Sequence, residues 1–355
     1  MIFFVAVLAA GVGAGLAQPR GAEQRPGVSG GDHPDARLYF PPAKGEWKKV
    51  DAASLGWDAK KLEAAFDFAK QERSTGLVIL HQGRLVAERY WTVEVTGDSV
   101  RLIVKTLPDG RTVEDVASMQ KSVVAFMTAM ARDRGLLDYD QPVSTYLGKG
   151  WCKATPEQEA AITVRHLLTM SSGLKESLEY EAAAGTKFLY NSPAYFLLRL
   201  ILTKVTGKEL QPLTAEWLLS PVGMTETQWI DRAKEINRRN HVGLCGTARD
   251  MARFGLLCQA EGVWDGQPVL KDAKLLREML SPSPQKKDYG QLWWLSEVPP
   301  APRDLFFAMG HGTRRIYVVP SLRLVVVRLG DTSASRTFDR ELWRLLMASV
   351  HKEPF

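Results

Sequence analysis

A serine and a lysine three residues apart, in Ser118-Met-Gln-Lys121, form the pair in this chain best suited to chemistry. On a helix, residues at this spacing stand one above the other on the same face. A serine hydroxyl is a weak nucleophile until a neighbouring base takes its proton. A lysine amine can serve as that base when burial or nearby positive charge lowers its pKa. The segment that follows, Ser122-Val-Val-Ala-Phe-Met-Thr-Ala-Met-Ala131, is apolar enough to bury such a helix. Its first turn adds the partial positive charge of the helix dipole.

The Ser-x-x-Lys spacing occurs four times, and context separates the copies. Ser172-Gly-Leu-Lys175 holds a glycine and reads as a loop. Ser283-Pro-Gln-Lys286 lies in a Ser-Pro-Ser-Pro run, where each residue before proline is turned away from helix. Ser349-Val-His-Lys352 falls at the C-terminal end, with no apolar helix after it. Only Ser118 opens a long apolar helix.

The elements that must position this pair follow from periodicity. Residues 55–71 read as an amphipathic helix with Leu62, Ala65, Phe66 and Ala69 on one side. Two apolar runs between Leu77 and Trp91, turning at Gln82-Gly83, predict a hairpin. From Ser118 to Met279 the pattern is mainly helical, with a clear helix from Tyr195 to Val205 ending at Gly207. Strand-like runs return at Leu292–Leu295, Leu305–Met309, Ile316–Val319 and Leu324–Leu329, before a last helix over 338–350. This order predicts an α+β fold: the N-terminal hairpin beside the C-terminal strands in one antiparallel sheet, flanked by helices, with an all-helical lobe inserted. The sheet lobe then comprises residues 47–117 and 285–355, and the helical lobe 118–284. Ser118 stands at their boundary, where a cleft is a favoured place for a site.

Two further stretches supply what a serine–lysine pair lacks. Tyr190-Asn191-Ser192 is the only Tyr-x-(Asn/Ser) in the chain, in a turn before the Tyr195 helix. A phenol near a cationic lysine can be drawn toward the phenolate and move protons to a leaving group. Gly310-His311-Gly312-Thr313 ends one strand before the next begins, so backbone N–H groups there can approach a developing oxyanion.

Composition excludes other classes. The chain has 355 residues, 45% hydrophobic and 24% charged, which is globular composition long enough for a large core. Its net charge of +6 is scattered, and no aromatic-and-basic module for nucleic acid is visible. The six histidines are dispersed and no metal-ligand spacing occurs, so no metal or other cofactor is expected. Of the three cysteines, Cys245 and Cys258 flank a predicted helix about 18 Å long, too far apart to bridge. Cys152 either pairs with one of them or all three are free thiols. Residues 1–17 resemble a secretory signal peptide without a basic start, or an uncleaved anchor, followed by a loose Gly/Pro-rich leader over 18–46. Export to the periplasm or the medium is the expectation. No other membrane-spanning run is seen, and oligomeric state is not legible.

Taken together these stretches resemble the serine hydrolases that include class C β-lactamases, D-alanyl-D-alanine peptidases and related esterases and amidases. The matching runs are Asp115-Val-Ala-Ser118-Met-Gln-Lys121-Ser, Gly135-Leu-Leu-Asp-Tyr-Asp-Gln-Pro-Val143 and Ile162-Thr-Val-Arg-His-Leu-Leu-Thr-Met-Ser-Ser-Gly-Leu174. Tyr190-Asn-Ser192 and Gly310-His-Gly-Thr with Tyr317-Val-Val-Pro320 follow in the same order, over roughly residues 50 to 350. The resemblance implies a β-lactamase/transpeptidase-like fold and a Ser118 acyl-enzyme, with Lys121 and Tyr190 sharing the proton transfers. It implies substrate contacts from Ser192, His311, Gly312 and Thr313, and an oxyanion hole from the Ser118 N–H plus one near Gly312 or Thr313. Two departures bear on substrate. His311-Gly312-Thr313 stands where lactamases have Lys-Thr-Gly, leaving only Arg314 or Arg315 to engage a β-lactam carboxylate, and Ser192 replaces their asparagine. Both favour a small ester, amide or peptide-like substrate, as in relatives of the 6-aminohexanoate oligomer hydrolases. A true β-lactamase and a penicillin-binding, peptidoglycan-recognising protein are the alternatives.

Overall fold

The computed structural model describes residues 38–93, 102–234 and 242–350. The expected signal segment, residues 1–17, lies outside them. The main sheet is five-stranded and antiparallel, built from β1 (Ser74–His81), β2 (Arg84–Tyr90), β9 (Phe306–Gly310), β10 (Arg314–Val319) and β11 (Leu324–Gly330). Its order is β2-β1-β11-β10-β9, so the N-terminal hairpin pairs directly with the last strand, Val78 opposite Val327. The hairpin turns at Gln82-Gly83, as predicted. Gly83 has φ +78°, and a Cβ there would stand 1.8 Å from the Tyr39 carbonyl oxygen, so both conformation and space require glycine.

Helices cover both faces of this sheet, which explains why its strands are apolar almost throughout. Leu77 and Ile79 of β1 face the helices Ala59–Gln71 and Phe338–Ser349, in a core with Phe66, Tyr317, Leu342 and Trp343. Val78 and Leu80 face the opposite way, into the larger core shared with the helix Ala248–Gln259. Gly255 of that helix lies close to the sheet: a Cβ would come within 2.7 Å of Val325 and 2.9 Å of Ile316. The helix Gln120–Asp133 is buried from Gln120 to Ala131, as the mainly apolar run Val123–Ala131 requires, and it carries Gln120, Lys121 and Ser122 into the interior with it.

A second sheet departs from the sequence expectation. It joins β3 (Ile103–Thr106), β4 (Thr112–Asp115), β5 (Gln228–Asp231) and β6 (Val242–Gly246) in the order β3-β4-β6-β5. Two of its strands fall in the stretch read as helical. None exceeds five residues, too short for an alternating pattern to stand out. A small hairpin of β7 (Val263–Trp264) and β8 (Gln267–Pro268) stands apart. The expected strand at Leu292–Leu295 is reduced to isolated bridges at Trp294, one to Tyr289 and one in which Trp294 and Phe307 exchange backbone hydrogen bonds at the free edge of β9.

Residues 38–41, expected within the loose leader, are packed onto the domain, while residues 42–46 are exposed. Phe40 meets the Trp264 ring edge-on at 5.0 Å, and the buried Arg253 donates 2.9 Å hydrogen bonds to the carbonyls of Pro41 and Val222. Apolar contacts of Leu38 and Phe40 and the buried Arg253 together hold this segment. Cys152, Cys245 and Cys258 are free thiols.

Candidate active site

Two residues, Val116 and Ala117, lead from the end of β4 at Asp115 to the nucleophile candidate. The Asp115 side chain accepts a 2.8 Å hydrogen bond from the Ala117 N–H, and the Val116 N–H donates to the Leu244 carbonyl at 2.9 Å. Ala117 has φ +50°, the left-handed region that a Cβ disfavours by about 1–2 kcal/mol. Ser118 then sits in a single 3-10 turn, Ala117–Met119, that runs straight into Gln120–Asp133. Lys121 occupies the first turn of that helix.

Here the Lys121 Nζ donates to the Ser118 Oγ at 2.9 Å. Lys121 is only 3% exposed, and burial, helped by the positive charge of Arg199 and opposed by Glu176, lowers its pKa from 10.5 to about 8. A large share of this amine is therefore neutral in mildly alkaline solution, and a neutral amine can accept the serine proton across the same 2.9 Å.

Tyr190 reaches the same serine. Its hydroxyl is near enough to Ser118 for that side chain to hold its pKa down in part, while its ring, 37% exposed, stacks on Trp294 at 6.2 Å. The expectation that lysine draws this phenol toward phenolate is corrected here. The Lys121 Nζ lies 5.0 Å from the centre of the ring, and burial raises the Tyr190 pKa despite the opposing influence of Ser118. Tyr190 is thus a neutral phenol able to donate, and the basic character belongs to Lys121.

Asn191, passed over in the sequence, anchors Tyr190. It is buried, its amide donates to the carbonyls of Leu174 and Lys175 at 2.7 Å, and its oxygen caps the helix Ser192–Thr206 by accepting from the Ala194 N–H at 2.9 Å. Asn at a cap position before Ser-Pro was a legible signal. Ser192 is half-buried at the start of that helix, and among the described residues its side chain forms no hydrogen bond to the Ser118 cluster.

Arg199 was also missed. It follows Tyr195 by four residues, one helical turn, so the two share a face. Its guanidinium lies 5.9 Å from the centre of the buried Tyr195 ring, and Lys121 lies 5.0 Å from the same ring. Two cations at one aromatic ring explain part of the depressed lysine pKa. Arg199→Met should therefore move the lysine-dependent limb of the pH–rate profile upward by several tenths of a unit, with kcat on the alkaline plateau little changed. A limb that stays in place or moves to lower pH would remove Arg199 from the tuning of Lys121.

His311, Gly312 and Thr313 form the turn between β9 and β10. His311 is exposed, Gly312 buried, and Thr313 half-buried with φ +55°. The end of β9 lies against the nucleophile turn: a Cβ on Gly310 would stand 2.5 Å from the Val116 carbonyl oxygen and 3.3 Å from Met119. Arg314 and Arg315 correct the expectation that an arginine is available for a substrate carboxylate. Arg314, 1% exposed, is ion-paired with Glu114 at 2.7 Å, and Arg315 forms paired 2.9 and 3.0 Å hydrogen bonds with Asp339. Their β-strand positions turn both side chains into the protein. Among the described residues, no three His, Cys, Asp or Glu side chains gather as a metal site would require, and no helix is long and apolar enough to cross a membrane.

The family model described as Beta-lactamase matches residues 59–350. An uncharacterised protein of Alkalihalophilus pseudofirmus is 24% identical over 72% of this chain and 83% of its own length. Among solved structures, a protein assigned as a β-lactamase from Bacteroides dorei superposes with a TM-score of 0.67 at 18% identity, covering 83% of this chain and 99% of that one. A protein assigned as a 6-aminohexanoate-dimer hydrolase from Bacillus anthracis gives 0.62 at 17% identity, covering 88% of each chain. At these identities the structural likeness speaks for the fold, while the family match spans most of the sequence. The chain belongs to the Beta-lactamase family and is an enzyme of its serine hydrolase class.

Proposed function

We propose that this protein hydrolyses a small ester or amide through an acyl-enzyme on Ser118. The observation that carries this reading is the 2.9 Å contact between the Ser118 Oγ and a buried Lys121 of depressed pKa. Neutral Lys121 takes the serine proton as Oγ attacks the substrate carbonyl. The resulting ammonium and the Tyr190 hydroxyl return a proton to the leaving alkoxide or amine. Water, activated by the same groups, then releases the acid and restores Ser118.

The oxyanion is met by the Ser118 N–H and by one N–H on the free edge of β9. Strand periodicity favours Met309 for that second donor over Gly312 or Thr313. The Phe307 N–H faces outward to Trp294, Gly310 pairs with Arg314 of β10, and Met309, two residues beyond Phe307, faces the same way as Phe307. Ser192 and His311 line the approach. The inward pairing of Arg314 and Arg315 favours a substrate without a carboxylate at this position, and so an ester or amide over a β-lactam.

Reaction with a fluorophosphonate probe and, separately, a fluorescent penicillin tests the proposal, with the adduct mapped by mass spectrometry. The expected result is phosphonylation on Ser118, turnover of short-chain p-nitrophenyl esters or anilides, and little nitrocefin hydrolysis. Rapid nitrocefin turnover would make the protein a β-lactamase. A stable penicillin adduct on Ser118 without ester turnover would make it a penicillin-binding protein.

A further inference from the structure

The turn beyond β9 is held by three buried guanidiniums, each on a different carbonyl. Arg315 Nη1 donates to the Gly310 oxygen at 3.4 Å, Arg314 Nη1 to the His311 oxygen at 3.0 Å, and Arg328 Nη1 to the Gly312 oxygen. Arg314 and Arg328 are 1% and 0% exposed. Burying guanidiniums is costly unless every donor is satisfied, and here the satisfaction is extensive. Arg314 also gives Glu114 two hydrogen bonds, of 3.1 and 2.7 Å, and Arg328 reaches the Ser74 hydroxyl at 2.9 Å and the Glu72 carbonyl at 2.7 Å. Glu114, fully buried, accepts from Thr75 as well and from Thr112 at 2.6 Å.

This placement has a geometric consequence. A peptide unit is planar, so fixing the carbonyl of one residue fixes the N–H of the next, pointing the opposite way. Holding the oxygens of Gly310, His311 and Gly312 toward the arginines turns the N–H groups of His311, Gly312 and Thr313 away from them. Glu114 lies on β4, four residues before Ser118, while Arg314 follows the turn directly. One ion pair, buried on both sides, thus ties the strand carrying the nucleophile to the strand end that supplies the oxyanion edge.

We infer that Glu114, Arg314 and Arg328 are positioning residues that set the end of β9 and its turn against Ser118 before substrate arrives. This rests on the acyl-enzyme reading. Pre-setting this strand end matters because the Met309 N–H, one residue before the first carbonyl so held, must stand where the oxyanion will form, and a misplacement of about 1 Å can cost about a hundredfold in rate. Gly312 belongs to the same device: it has φ +75°, and a Cβ there would stand 2.1 Å from the Arg314 Nη1.

The test is Arg314→Lys, which keeps the buried charge beside Glu114 but cannot reach Glu114 with two donors and the His311 carbonyl at once. Active-site titration with the fluorophosphonate counts competent sites, and kcat, KM and the pH–rate limb are measured per titrated site below the melting temperature. The expected result is a kcat lower by about 10- to 100-fold, KM within about threefold, and an unmoved lysine limb. Gly312→Ala, which pushes on the same guanidinium without changing charge, should give the same split and decides the matter if Arg314→Lys does not fold. A kcat per site within about twofold of the wild type in the folded variant, with only the melting temperature reduced, would overturn the inference and leave a purely structural ion pair. Absence of a Ser118 adduct in the wild-type protein would instead defeat the acyl-enzyme reading, and is measured first.

Discussion

Ser118→Ala should lower ester or amide turnover by on the order of 10⁴- to 10⁶-fold and abolish covalent labelling, while the protein stays folded. The size of the effect follows from the site. Lys121 contacts this one oxygen and Tyr190 stands beside it in the proposed mechanism, so removing it leaves a base and an acid with nothing to act on. Stability should move by no more than about 1 kcal/mol, because only a half-buried hydroxyl is lost and no cavity larger than one atom is created. Thermal unfolding monitored by circular dichroism, run beside the turnover assay, separates the two effects. A Ser118→Ala protein that still takes up the phosphonate, or still turns over ester at more than about one per cent of the wild-type rate, would place the nucleophile elsewhere.

Lys121→Met should have the next largest effect, about 10²- to 10⁴-fold on kcat/KM, and should also make the protein more stable at neutral pH. The lysine pKa falls from 10.5 in the unfolded chain to about 8 in the folded one. The folded state therefore holds its proton less tightly than the unfolded state. The folded protein is penalised at all pH values below about 8, and the penalty fades as pH rises from about 8 to 10.5. At neutral pH it amounts to up to about 3 kcal/mol, from 1.36 kcal/mol per pKa unit. Methionine fills the same space without the charge. Denaturant unfolding should show Lys121→Met gaining on the order of 1–3 kcal/mol at pH 7 and converging on the wild type near pH 10.5. In the wild type, kcat/KM should rise with pH to a plateau above an apparent pKa near 8. Lys121→Met should lose that limb. A destabilised Lys121→Met protein, or one that keeps the limb, would mean that the lysine is not held deprotonation-ready at a cost to the fold.

Legibility in the sequence followed the range of the interactions involved. Helices and long strands announced themselves through period: 59–71, 120–133, 192–206 and 338–349 lie within a few residues of their expected places, and the hairpin turns at Gln82-Gly83. The four-residue β3 and β4 carry no period, and Glu114 and Asp115 inside β4 look like surface charges until Arg314, two hundred residues away, is brought beside Glu114. For the same reason Arg314 and Arg315 read as substrate contacts in the sequence. In the fold each has a carboxylate partner from another element, Glu114 and Asp339. Residues 38–41 look loose by composition because part of what holds them is the distant Arg253.

The sequence by itself determined the nucleophile and base candidates, since Ser118 and Lys121 are linked by helical spacing alone and their contact is local. It also determined that Tyr190 leads a helix, through Asn191 and the glycine stop at Gly207. Only the tertiary structure decided the environments on which the proposed protonation roles rest. Lys121 becomes the stronger base candidate and Tyr190 a neutral phenol because burial shifts both pKa values, with Arg199 adding to the fall at Lys121. None of these is a local property. Spacing along a helix brings two side chains together, whereas desolvation and the field of distant charges depend on everything packed around them.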